Sequence, residues 1–200
     1  MATRGGQTKS GDIYAGTTLG LFEYDRGNDR FEDTGTFDGV FVTSMDEDAK
    51  GNLWLSSFAS GIYRWNPSNG EILHLSYGDG LPDNKVASVR VDAGGRVWAI
   101  GFSHGFSEYI PETGKFSTYN SSRFPSLPSD VFFRGVEDRS GCLWLASDSG
   151  LVQFNPETYG LRLYTEIEGL LDTKLTNSAL RLSSGELCFG SDNGFISFSP

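Results

Sequence analysis

The segment Gly95-Arg96-Val97-Trp98, followed ten residues on by Gly105-Phe106-Ser107-Glu108-Tyr109-Ile110-Pro111, decides the fold because it recurs. Gly51-Asn52-Leu53-Trp54 and Gly141-Cys142-Leu143-Trp144 repeat its head, and Gly11-Asp12-Ile13-Tyr14 and Gly185-Glu186-Leu187-Cys188 are weaker copies. The leading glycines are 40, 44, 46 and 44 residues apart. A second glycine follows nine or ten positions later each time, at Gly20, Gly61, Gly105, Gly150 and Gly194, and opens an apolar or aromatic run. Six residues beyond it stands Pro67, Pro111, Pro156 or Pro200; only the first repeat differs, with Arg26. Landmarks held in register through so many units define an internal repeat.

Each unit reads as four short strands. Val86 to Val91 typifies the first, Leu53 to Leu55 the second, Gly61 to Trp65 the third and Ile72 to Tyr77 the fourth. Aromatic and β-branched residues bounded by Gly, Pro and Asn mark strands. The joint between third and fourth strands, as in Asn66-Pro67-Ser68-Asn69-Gly70, joins a proline that presets φ to a glycine that accepts positive φ. No window carries a sustained helical period. Four antiparallel strands in 40–46 residues are the size of one β-propeller blade. Blades stack face to face, so their middle strands are covered on both sides, as Leu53-Trp54-Leu55 implies. Trp54, Trp98 and Trp144 then fill the space between blades; a role as sugar platforms is the weaker reading.

The expected fold is therefore all-β: a propeller of four to five four-stranded blades, open and part of a larger one. Residues 1–10 are expected to be a disordered tail and residues 11–200 the blades, with repeats starting near 11, 40, 84, 130 and 176. The first repeat is expected to begin at its second strand and the last to stop before its fourth, which makes eighteen strands. Open edges of this kind invite self-association, or association with the rest of a propeller.

Composition narrows the function. Sixteen Lys and Arg against 26 Asp and Glu give a net charge of −10, so the chain lacks the basic face that nucleic acid or an anionic membrane requires. Glycine, 26 of 200 residues, stands well above the usual ~7% and fits many tight turns. Met1 to Ser10 has no apolar core of a signal peptide, and no stretch approaches the length of a membrane-spanning helix. Cys142 and Cys188 are expected to be free thiols buried in strands.

Several of these residues resemble a known family. Asp79-Gly80-Leu81-Pro82-Asp83-Asn84, then Val86 to Val91 and Gly95 to Trp98, is similar to the two-component regulator propeller repeat. So are Val136-Glu137-Asp138 before Gly141 to Leu145, and Gly150 to Pro156. The resemblance covers residues 11–200. It implies the periplasmic sensor region of a hybrid two-component histidine kinase, in which products of polysaccharide breakdown are sensed. The kinase, the connector and the membrane anchor of that family have no counterpart in these residues. On this resemblance the chain is a non-catalytic ligand-sensing segment whose ligand is an oligosaccharide.

No catalytic set emerges from the residues. There is no clustered His and Cys set for a metal and no calcium loop, so neither a metal nor a cofactor is expected. Asp46, Asp92 and Asp138 read as recurrent turn residues before the second strand. His74 falls on an outer strand, and His104 falls in the hairpin between second and third strands. These hairpins share one face with the loops that join blades, Tyr77 to Lys85, Asn120 to Asp130 and Glu168 to Thr176. Function concentrates on loops held by a rigid scaffold, so the candidate ligand residues are Asp79, Asp83, Asn84, Lys85, His104, Arg123, Phe124, Asp172 and Lys174. Arg123 is offered to an acidic group and Phe124 to a sugar ring. Two rivals remain: a lyase of the streptogramin-lyase type, whose chemistry needs a histidine (here His104) and a divalent metal, and a structural fragment without a ligand.

Overall fold

Alternation within the second strand of each repeat dictates how neighbouring sheets meet. The computed structural model describes the backbone of residues 2–200 and the side chains of residues 5–200. Blade 1 comprises β1 (Ala2–Gln7), β2 (Ile13–Thr17), β3 (Leu21–Asp25) and β4 (Arg30–Asp33). Blade 2 comprises β5 (Val42–Glu47), β6 (Leu53–Ser57), β7 (Ile62–Trp65) and β8 (Ile72–Leu75). Blade 3 holds β9 (Val86–Val91), β10 (Val97–Gly101), β11 (Phe106–Ile110) and β12 (Lys115–Tyr119). Blade 4 holds β13 (Phe132–Glu137), β14 (Leu143–Ser147), β15 (Gly150–Asn155) and β16 (Gly160–Tyr164). Blade 5 has three strands, β17 (Leu175–Arg181), β18 (Leu187–Ser191) and β19 (Gly194–Phe198). Each sheet is an antiparallel meander in sequence order, and the first strands β1, β5, β9, β13 and β17 pack in succession about one axis.

The structure is the expected β-propeller, with one correction at its start. Ala2–Gln7, placed in the expected disordered tail of residues 1–10, is a strand paired to β2 from Ala2↔Thr17 to Gln7↔Ile13. Blade 1 is complete and the described residues form nineteen strands, not eighteen. The stretch escaped reading because Ala2-Thr3-Arg4-Gly5-Gly6-Gln7 lacks apolar alternation. Its pairing to β2 uses the backbone, which needs no such pattern. Met1 lies outside the described residues.

Within a blade, residues three and five of the motif face backward and residue four faces forward. Leu53 and Leu55 join Tyr14 of the preceding blade, whereas Trp54 joins Val97, Ala99 and Tyr109 of the following one. Trp98 meets Leu143, Leu145 and Phe154 in the same way, and Trp144 meets Leu187, Phe189 and Phe198. Core packing is thus the place of all three tryptophans. Cys188 occupies the forward position of blade 5 and is only partly buried, contrary to the expectation for both thiols. Leu180 at 51% and Phe195 at 75% exposure are the large apolar side chains left open on this last blade's strands. Among the described residues, no comparable packing joins β17 to β1, and the arc is open.

Two devices recur with the repeat. Asp48, Asp92 and Asp138 each accept the indole N–H of the tryptophan six residues on, at 3.1, 3.0 and 2.7 Å. Asp48, not the expected Asp46, is therefore the repeat member: its amide bonds Asn52 as that of Asp92 bonds Arg96. Asp46 instead reaches into blade 3, where it accepts the Val91 amide at 2.9 Å and pairs with Arg90 at 3.2 Å. The second device is the third-strand glycine. A Cβ on Gly105, at φ 83°, would intrude on the Tyr119 carbonyl oxygen of the neighbouring strand; at Gly194, at φ 143°, it would meet nothing within 4 Å. Near the axis Arg134, 8% exposed, spans from β13 past blade 3 to donate to Ser44 Oγ in β5 at 2.6 Å.

Gly105→Ala is expected to cost at least about 2 kcal/mol more than Gly194→Ala, since both strain φ but only the first collides. Equal losses in urea unfolding would refute the close-approach account. A second expectation concerns acid. Burial pushes the Asp138 carboxyl up, but the Ser140 hydroxyl, the Trp144 indole and the Cys142 and Ser140 amides outweigh it and hold the pKa below 3.8. At Asp48 burial is likewise outweighed, by Asn52, Trp54 and Lys50. A folded pKa below the unfolded one gives stability that is present above about pH 4 and lost as pH falls through the folded value. Asp138→Ala should therefore cost about 3 kcal/mol at pH 7 and flatten the acid limb of stability against pH. An unchanged acid limb would exclude Asp138 as its source.

Candidate ligand-binding face

The blade-joining loops and the second-to-third-strand hairpins bring a polar cluster together on blade 3. The Ser103 hydroxyl lies 3.1 Å from Asp83 Oδ2 and 2.8 Å from His104 Nδ1, and His104 Nδ1 is 3.6 Å from the same carboxylate oxygen. A carboxylate only accepts, so when Ser103 donates to Asp83 the imidazole Nδ1–H donates to Ser103. That tautomer leaves Nε2 of the exposed His104 as an acceptor turned away from the relay. Asp83 also accepts the Lys85 amide at 3.0 Å, which fixes the turn entering β9. Asp83, Lys85 and His104 are therefore close neighbours.

Beside them lies an aromatic shelf that sequence reasoning missed. Phe41 and Phe58 stack at 5.4 Å between centroids, and Phe58 meets Phe102 edge-on at 6.0 Å. Phe102 belongs to the His104 hairpin, so the shelf crosses from blade 2 to blade 3. Phe58 is 43% exposed, and Phe41 and Phe102 are half-buried. The signal was available, because Phe58 and Phe102 both precede the third-strand glycine by three residues. Asp148 and Asp192 take the same place in blades 4 and 5: their amides donate to Val131 and Lys174 as the Phe58 amide donates to Phe41. Around this face the hairpins change from aromatic to acidic.

The other candidates hold the loops in shape. Asp79 accepts the Ser76 amide and hydroxyl at 2.9 and 3.1 Å, which keeps its carboxyl below the ordinary range, and Asn84 accepts the Tyr77 amide at 2.7 Å. Asp172 is likewise held low, first by the Lys174 amide and then by the Asn193 side chain. Arg123 donates to Ser117 Oγ and the Thr118 carbonyl and lies over the Tyr119 and Phe124 rings. Phe124 stacks on Tyr119 at 5.2 Å and packs against the core between blades 3 and 4. Both side chains are thus engaged with their own blade, Arg123 while remaining exposed. His74, on β8, is exposed and stacks on Tyr63 at 4.3 Å. Among the described residues no group of three His, Cys, Asp or Glu side chains is placed to hold a metal. A concavity of about 530 Å³ lies apart from these groups, along the outer strands of blade 1.

Fold and face together define a β-propeller segment with a loop surface of aromatic and polar groups. Comparison with known proteins gives that class its context. The chain superposes on the extracellular domain of a hybrid two-component system from B. thetaiotaomicron with TM-score 0.81 and 19% identity, covering 99% of this chain and 28% of that one. It also superposes on virginiamycin B lyase from Staphylococcus aureus, with TM-score 0.71, 10% identity, and 98% and 69% of the two chains covered. At these identities the likeness is one of fold. In sequence it is 35% identical over 66 residues to histidine kinase P4 of Formosa agariphila. The match takes in 32% of this chain and 5% of that relative, so the chain spans a small part of both the kinase and the extracellular domain. No family model matches the chain. Among the described residues no helix is long and apolar enough to cross a membrane.

The Ser103 relay carries its own expectation. Ser103→Ala should release the His104 ring, seen as averaging of its side-chain NMR couplings, without lowering the melting temperature. A ring still held in one rotamer would mean that the hairpin backbone, not Ser103, orients it.

Proposed function

We propose that this chain is a non-catalytic ligand-sensing segment of an extracytoplasmic propeller, and that its loop face binds an oligosaccharide. The observation that carries the reading is the shelf of Phe41, Phe58 and Phe102 beside Asp83, Ser103, His104 and Lys85. Sugar rings offer an apolar face to an aromatic ring and hydroxyls to carboxylate, imidazole and ammonium groups, and such a shelf supplies both. The likeness to extracellular domains of two-component systems supports a sensory setting and a periplasmic location. An array of neutral and acidic oligosaccharides, followed by calorimetry on any hit, tests the reading. Phe58→Ala is expected to weaken binding about tenfold, the equivalent of 1.4 kcal/mol, with the fold intact. Silence across the array, or binding indifferent to Phe58→Ala and Phe102→Ala together, would overturn it.

The lyase-like neighbours favour one alternative, in which His104 Nε2 acts as a base. Incubation with a streptogramin B and magnesium is expected to leave the compound intact. Turnover that His104→Ala abolishes would replace the sensor reading by an enzymatic one.

A further inference from the structure

The opposite face, where the first-to-second-strand turns meet the neighbouring blades, carries one contact at two of its four junctions. Where blade 1 meets blade 2, the Glu47 carboxylate accepts the Lys9 amide at 2.7 Å. Where blade 3 meets blade 4, the buried Glu137 carboxylate accepts the Ala93 amide at 2.9 and 3.1 Å. Lys9, Ala49 and Ala93 are equivalent turn residues, each one past Thr8, Asp48 or Asp92. Strand register makes Glu47, Val91 and Glu137 equivalent too, for they pair with Leu53, Val97 and Leu143. Where blade 2 meets blade 3, the place of the glutamate is thus held by the uncharged Val91, and where blade 4 meets blade 5 by Arg181, which donates to the Glu137 carbonyl instead. Among the described residues no carboxylate is hydrogen-bonded to the amide of Ala49, which is exposed.

At its rim the junction of blades 2 and 3 also lacks a bridging cation of the kind found at the others, its Arg90 pairing with Asp46 deeper in. Lys9 Nζ donates to the Asp48 carbonyl, Arg96 Nη1 pairs with Glu157 at 2.7 Å, and Arg139 Nη2 donates to the Ser183 carbonyl, each bridging to the next blade. Lys50 stands at the second junction, exposed, and its ammonium has no partner among the described residues. Asn52, in the place of Arg96, is too short to reach Glu112, in the place of Glu157, and turns to Asp48 and Asn66. A cleft of about 450 Å³ remains, lined by Ala49, Lys50, Trp54, Arg64, Tyr109 and Glu112 among others. Trp54 and Tyr109, 5.5 Å apart, form its aromatic floor.

We propose that this cleft binds a small carboxylate-bearing molecule. Its carboxylate occupies on the Ala49 amide the place that Glu47 and Glu137 occupy on the Lys9 and Ala93 amides. Lys50 supplies the countercharge, as charge-assisted hydrogen bonds require. The edges of Trp54 and Tyr109, both nearly buried, form the apolar base of the cleft beneath the body of the molecule. Asp48, engaged with the Trp54 indole and the Lys50 amide, and Glu108 and Glu112 also line the cleft, while Arg64 is paired with Glu71, and Arg96 with Asp92 and Glu157. The carboxylates of Asp48, Glu108 and Glu112 disfavour a polyanion, so the ligand carries a single carboxylate. A sugar acid and an acylated amino acid share that chemistry. The site is on the face opposite the aromatic shelf and does not depend on it.

The test is a titration of ¹⁵N-labelled protein with D-glucuronate, N-acetylalanine and, as an uncharged ring, D-glucose. The Ala49 and Lys50 amides and the Trp54 indole are expected to shift saturably with at least one acid and not with glucose. Glucuronate alone would identify a sugar acid, and N-acetylalanine alone an amino-acid derivative. Lys50→Ala should weaken the response about five- to tenfold at low salt. Val91→Glu should abolish it by supplying the carboxylate from the chain itself. Lys50→Ala, at an exposed position, decides the matter if Val91→Glu does not fold. Shifts as large with glucose, no response at Ala49 to either acid, or unaltered binding in Lys50→Ala would overturn the proposal.

Discussion

A ring on the second strand of each of the first four blades is buried against the blade that follows, and the rest of the structure depends on that arrangement. Tyr14, Trp54, Trp98 and Trp144 project forward, and the aliphatic pairs of the next blade close over them. An indole N–H enclosed in this way needs an acceptor, because an unpaired buried donor costs 1–3 kcal/mol or so. Asp48, Asp92 and Asp138 provide it. Where the position is not tryptophan the aspartate is missing as well: Thr8 stands in the blade of Tyr14 and Leu182 in that of Cys188. Ring and acceptor vary together because one creates the need for the other.

The same dependence explains which parts of the chain the repeat leaves free. Positions three to five of the motif are bound by packing, the two glycines by positive φ and in blades 1 to 4 the second of them by backbone approach, and the turn aspartate by its hydrogen bonds. The hairpin between second and third strands is bound by none of these at its tip, and there the blades differ: Phe58 and Phe102, then Asp148 and Asp192. A scaffold assembled by stacking equivalent units can change these tips without disturbing its core. Side chains that depart from the repeat on a shared face are accordingly better guides to a site than those that conform to it.

Much of the fold was legible because glycine, proline and tryptophan mark positions where only they fit. What escaped was set by contacts that no local pattern records. β1 forms from a stretch with two adjacent glycines, since its partner β2 supplies the hydrogen bonds. Asp46 stood close enough to the turn to be mistaken for Asp48, and only the amide of Val91, 45 residues away, reveals its different task. Arg123 and Phe124 looked available because their loop is irregular, yet both fold back on Tyr119. Of the candidate cluster, Asp83, Lys85 and His104 were legible from loop placement alone. The aromatic shelf needed the hairpins to be aligned with each other and not only with the strands.

The junctions between blades carry this logic to its end. Four of them use one geometry, but the charges that tie them are distributed differently. Blades 1 and 2 and blades 3 and 4 share a glutamate on a turn amide, and blades 4 and 5 rely on Arg139 and Arg181 reaching opposite ways to the Ser183 and Glu137 carbonyls. Blades 2 and 3 are tied deeper in, by Asp46 with Arg90 and the Val91 amide. Moving the tie inward holds the two sheets together while it leaves their rim unclosed. A seam secured from within can keep a cleft open at its rim without loosening the arc.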